Sequence, residues 1–167
     1  METKDLYKSL LDTRNYEITM FWTRSNYFLL LNTAIAVGLF GTREFYSKYG
    51  IVFAIFGLLA SVLWFWVCLG GKYWQVRWEQ KLSDFEAKHL PDLKAFAATP
   101  EEVKADVEKG MGFDSKMSWT QRKIYQLAVN QKPSVSYSMI RLSIIFSLGW
   151  LLWLSFFFIT GKAPFAA

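Results

Sequence analysis

Hydrophobic positions in this chain are gathered into blocks, with the charges between them. Ile51 to Leu69 (IVFAIFGLLASVLWFWVCL) carries no charge, and neither does Leu142 to Ile159 (LSIIFSLGWLLWLSFFFI). Each is close to the roughly 20 apolar residues that a helix needs to cross a bilayer. A third block, Asn26 to Gly41, is shorter, but its pattern continues backwards. Leu6, Leu10, Leu11, Ile18, Phe21 and Trp22 recur at steps of three and four, while Lys8, Asp12, Arg14 and Glu17 take the other faces. No Gly or Pro interrupts Met1 to Tyr27, so one long helix is predicted, amphipathic at first and then apolar.

The segment between the second and third apolar blocks reads as charged helices. GKYWQVRWEQKLSDFEAKHL lines up Trp74, Trp78 and Leu82 on one face, and Pro91 ends that helix or breaks it. Thr99-Pro100-Glu101-Glu102 is a capping box with Pro at the first helical position, and Gly110 closes the helix it opens. Ser118-Trp119-Thr120-Gln121 repeats the box for a helix to about Asn130, and Pro133 starts the last helix. No stretch alternates long enough to argue a strand.

The pattern predicts an all-α integral membrane protein with three transmembrane helices and a helical cytoplasmic domain between the second and third spans. The boundaries follow from the blocks. Residues 1–25 are an amphipathic cytoplasmic helix. Residues 26–69 hold two spans around a short outer loop, 42–50. Residues 70–139 are the cytoplasmic domain, 140–160 the third span and 161–167 an outer tail. A cleaved signal peptide is not expected at the first span. Its leader carries Glu2, Asp5, Asp12 and Glu17, and the apolar run before Ala34-Ile35-Ala36 is only Tyr27 to Leu31.

Composition changes this picture little and closes several chemistries. Of 167 residues, 53% are hydrophobic and 19% aromatic, which suits a bilayer with aromatic belts better than a small soluble core. One cysteine excludes an intramolecular disulfide, and with one histidine it also excludes a Cys2His2 zinc site. Twelve of the nineteen Lys and Arg residues fall in 70–141 and four in 1–26. Basic residues stay on the cytoplasmic side. The multi-pass topology is then N-terminus cytoplasmic and C-terminus periplasmic, in a bacterial inner membrane. This orientation and anionic lipid account for the positive charge without nucleic acid. Trp22, Tyr27, Tyr73, Trp74 and Trp78 form the inner interface belt; Phe45, Tyr46 and Tyr49 form the outer one.

Four sets of residues are candidates for more than packing. Ala34-xxx-Gly38, Gly57-xxx-Ser61 and Ser143-xxx-Ser147 let a helix approach closely, within one protomer or between copies; self-association is favoured because three short spans offer limited internal surface. Asn32 and Thr33 are the most polar residues deep in a span. They serve either as a bond to another helix, the favoured role, or as the lining of a pore. Arg24 and Arg141 sit at cytoplasmic span ends, as snorkelling anchors or, in an oligomer, as a ring at a pore mouth. Glu86-x-x-His89 is half of a di-iron carboxylate pattern, and the lone histidine leaves the rest unfilled. Gly70-Gly71-Lys72 lacks the other residues of a phosphate loop. No set of acid, base, nucleophile or metal ligands converges, so no metal, no cofactor and no catalytic residue is expected.

Three stretches carry a family resemblance: LYKSLLDTRNYEITMFWTRSNYFLLLN (Leu6–Asn32), KYWQVRWE (Lys72–Glu79) and KPSVS (Lys132–Ser136). The chain resembles a family of small bacterial inner-membrane proteins related to RipA. The resemblance implies a helical homo-oligomer, an octamer, and supplies no activity. The sequence reading is therefore a non-enzymatic, homo-oligomeric inner-membrane protein, whose partners are the lipid bilayer and itself. In it a ring of copies serves as scaffold or docking platform. The rival reading is an oligomeric channel with the first span on the axis.

Overall fold

The computed structural model describes residues 3–40, 43–111, 117–131 and 134–160; for residues 40, 43–48 and 131 it describes the backbone alone. The described residues form five helices and no strand: α1 (Thr3–Phe40), α2 (Arg43–His89), α3 (Pro100–Met111), α4 (Trp119–Gln131) and α5 (Val135–Thr160). The long uninterrupted pattern up to Tyr27 becomes the 38-residue α1. The 47-residue α2 carries both the second apolar block and the Trp74–Trp78–Leu82 face, and it passes Gly70 and Gly71 without a break. It begins at Arg43, inside the segment read as the outer loop 42–50. The side chains of Arg43, Phe45, Tyr46 and Lys48 lie outside the described residues, as do the tail 161–167 and Pro133.

Among the described residues two helices are long and apolar enough to cross a membrane, within Tyr49–His89 and Val135–Thr160. The uncharged run Ile51–Leu69 is the part of α2 suited to hydrocarbon. The first expected span lies in α1 but does not reach that mark. Arg24, Asn26, Asn32 and Thr33 dilute its apolar stretch.

The chain divides into two compact units, and each takes part of α1 and of α2. The first comprises the chain up to Arg14 together with Val76–Val135. In it α2 ends one residue before Leu90-Pro91, and the turn that follows is held by a buried acid. Glu86 is fully buried, and its carboxylate accepts from the Tyr7 hydroxyl (2.6 Å) and from the backbone N–H groups of Phe96 (2.7 Å) and Ala97 (3.0 Å). Arg14 meets Glu79 at 3.2 Å and lies over the Phe96 ring, 5.4 Å from its centre. Lys94 takes the left-handed backbone region (φ 44°), unusual without a glycine. Its ammonium pairs with Glu102 at 2.5 Å. That bond, with the Thr99 N–H, holds the Glu102 carboxyl down at about 2. The expected capping box is closed in both directions: Thr99 N–H donates to Glu102 Oε2 (2.8 Å) and Glu102 N–H to Thr99 Oγ1 (3.2 Å).

The second unit comprises Asn15–Gln75 and the chain from Ser136 on. Its core is two apolar clusters. One joins Leu39, Ala54, Trp150, Trp153 and Leu154; the other joins Phe21, Trp64, Cys68 and Ile140. Each draws on α1, α2 and α5. Gln75 and Ser136 close one end of the unit with a 2.9 Å hydrogen bond.

Candidate functional site: a polar knot between three helices

Asn32 sits between the two apolar clusters, with none of its surface exposed. A buried amide among hydrocarbon needs partners, because burying it unbonded costs several kcal/mol. Here α2 and α5 supply them. Trp150 Nε1–H donates to Asn32 Oδ1 at 3.1 Å. The Ser61 hydroxyl lies 2.7 Å from the same oxygen and 2.8 Å from the Gly57 carbonyl, so its single proton serves one of them at a time. Asn32 Nδ2 donates to the Phe28 carbonyl one turn back on its own helix (3.0 Å). One oxygen thus ties α1 to both neighbours.

Gly57 makes this geometry available. A Cβ added there would stand inside the Trp150 indole, in contact with its Cε2, so only glycine lets the ring lie flat on α2. A second, weaker polar contact lies toward the end closed by Gln75 and Ser136, where the Ser25 hydroxyl meets the Cys68 thiol at 3.5 Å. An apolar crevice of about 260 Å³ opens beside the knot, lined by Ala36, Ile145, Phe146, Gly149, Trp150 and Trp153.

The residues expected to pack helices closely separate here. Gly57, Ser61 and Ser143 are buried within the protomer, so the close approach at Gly57-xxx-Ser61 is taken by the chain's own Trp150. Ser143 bonds the Ile140 carbonyl and Ser147 the Ser143 carbonyl, each along its own helix. Gly38 packs on Phe53. Ala34 alone of the six is exposed.

The remaining candidates are scattered. Thr33, adjacent to the buried Asn32, faces outward and returns its hydroxyl to the Leu29 carbonyl (2.8 Å). Arg24 and Arg141 are exposed. Of the interface aromatics, Tyr27, Tyr73 and Trp74 are exposed, whereas Trp22 and Trp78 are half-buried. In the Glu86-x-x-His89 pair the Glu86 carboxylate is engaged by Tyr7 and by backbone N–H groups of the following loop, and the His89 ring lies against Phe85, 4.7 Å between centres. Among the described residues, no three of His, Cys, Asp and Glu come together in a way that suits a metal ion.

Trp150, Tyr7 and Glu86 were not legible as partners in the sequence. A buried Trp usually finds an acceptor for its N–H, and on α5 Ser143 and Ser147 bond carbonyls of their own helix, which leaves an acceptor on another helix. That signal names a need, not the residue that meets it.

The described residues are helical, two of their helices are long and apolar enough to cross a membrane, and a neutral polar knot lies among apolar clusters, as a membrane protein would have it. A family model described as the octameric membrane protein family (8xMP) matches residues 4–160, and the chain belongs to that family. No curated protein matches it. No solved structure matches it either.

Proposed function

We propose that the protein is a homo-oligomeric, non-enzymatic scaffold of the bacterial inner membrane. In this reading α1 supplies a third span beside α2 and α5, the N-terminus is cytoplasmic and the C-terminus periplasmic. Copies assemble into a ring, and their cytoplasmic helices form a docking platform. The likeness of KYWQVRWE and KPSVS to RipA-related proteins belongs to the same reading. One observation supports scaffold over channel. The most polar residue deep in α1, Asn32, is spent inside the protomer on Ser61 and Trp150, which leaves little to wet an axis. A hydrated path needs polar lining, and hydrophobic constrictions close by dewetting.

Planar bilayers containing the purified oligomer test this. The expected result is no single-channel current at any voltage or salt. A reproducible, ion-selective conductance that Thr33→Leu abolishes in an intact oligomer would establish the channel instead.

A further inference from the structure

We infer that the outward face of α1 is the surface on which a second copy of this chain docks, with Thr19, Thr23, Asn26, Leu30, Thr33 and Val37 as its seam. The inference rests on the oligomeric reading above and adds the contact surface to it. The six positions step by four, three, four, three and four. That is the 3.5-residue repeat by which one helix packs along another over several turns. Leu30 and Val37 are 68% and 65% exposed. Thr19, Asn26 and Thr33 are exposed too, and Thr23 is half-buried.

The other two long helices show what a lipid-facing surface looks like in this chain. Outward positions of α2 include Val52, Phe56, Leu59, Leu63 and Trp66; those of α5 include Ile145, Leu148, Leu152 and Ile159. The exposed side chains of α2 between Val52 and Leu69 are all apolar, and on α5 between Ile144 and Ile159 Ser155 is the one polar exception. The outward face of α1 mixes threonines and an amide with its aliphatics. These residues, together with Arg24 and the buried Asn32, keep α1 below the hydropathy of a span that can meet lipid on its own.

Depth follows from register against α2. Asn32 bonds Ser61, which lies near the middle of the uncharged run Ile51–Leu69, so Thr33 lies near mid-membrane. Ser25 meets Cys68, so Asn26 lies at the inner shoulder of the same layer. The threonines are prepared for an apolar interface. Thr19, Thr23 and Thr33 return their hydroxyls to the carbonyls of Asn15, Thr19 and Leu29, leaving short, smooth side chains outward. Asn26 has no such partner among the described residues. Between membrane helices, small and threonine side chains allow close packing and an amide bonds across.

The occupant is a second copy because the family is one of octamers and the seam is built for a helix. Within the protomer, α1 already spends its opposite face on α2 and α5.

The test uses the full chain in its native membrane. A photoreactive benzoylphenylalanine is placed at Leu30 or Val37 on the seam, and at Phe56 or Leu152 as controls. Native mass in mild detergent is measured for each variant. Covalent ladders from the α1 sites are expected. Loss of the oligomer with the α1 substitutions, but not with the controls, supports the seam equally. Ladders from Phe56 or Leu152 with none from the α1 sites would overturn it. So would no ladder from any site in particles of full mass, since lipid or water would then lie on α1. A monomeric mass for the unsubstituted protein would defeat the oligomeric reading itself, and the seam with it.

Discussion

Replacing Asn32 by Leu removes an acceptor that two donors share. Ser61 keeps the Gly57 carbonyl as an alternative, but the Trp150 N–H is left in hydrocarbon without its oxygen. Hydrogen bonds between membrane helices average about 0.6 kcal/mol and reach about 1.7. Asn32→Leu is expected to cost about 1–2 kcal/mol in reversible unfolding in mixed micelles, and Ser61→Ala no more than about 0.6. Trp150→Phe in the Asn32→Leu background should then recover part of the loss, because the orphaned donor is gone. Equal costs for Asn32→Leu and Ser61→Ala would mean that the Trp150 bond contributes nothing.

At the scale of helices, two glycines in different surroundings predict opposite outcomes. Gly57→Ala forces the Trp150 ring off α2, and overpacking of this kind costs about 1–3 kcal/mol. Gly149 has open space where its Cβ would go. There Ala should be neutral or gain up to about 0.5–1 kcal/mol of helix preference. Thermal unfolding of the two variants in detergent checks the signs. The sequence made the elements legible: the two uncharged runs, the Thr99 capping box and the unbroken helix into α1 all rest on local pattern. Partners were not legible. Periodicity shows that Gly57 and Ser61 share a face, but nothing in it says whether that face meets a neighbour copy or Trp150. The charge pattern hid a similar fact. Glu86 looks like a surface acid on an amphipathic helix, yet a loop ten residues on folds its N–H groups over it.

On the scale of the whole molecule, the two units respond differently to pH. Burial alone would raise the Glu86 carboxyl. The bonds from Tyr7 and from the N–H groups of Phe96, Ala97 and Ala95 outweigh it and hold the group below its ordinary 4.5. Its stabilising effect is therefore complete above that value and is lost as pH falls through the folded one. Tyr7 moves the other way, up to about 12, through burial and then the bond to Glu86 and its charge. That contribution is complete below pH 10 or so and is lost as pH rises through about 12. Amide NMR signals of Phe96 and Ala97 should titrate in acid, and Glu86→Gln should remove that step. The knot of Asn32, Ser61 and Trp150 holds no titratable group, so its signals should stay put over the same range. The knot also sets an order of events during synthesis. Asn32 and Trp150 are 118 residues apart, which at about 5–20 residues per second takes the ribosome roughly 6–24 seconds to cover. For the 89 residues between Ser61 and Trp150, about 4–18 seconds of that interval at the same rate, the Asn32 oxygen has the Ser61 hydroxyl as its one donor from another helix. A chain that stops before Trp150 therefore carries the Asn32 oxygen without the indole that joins α1 to α5.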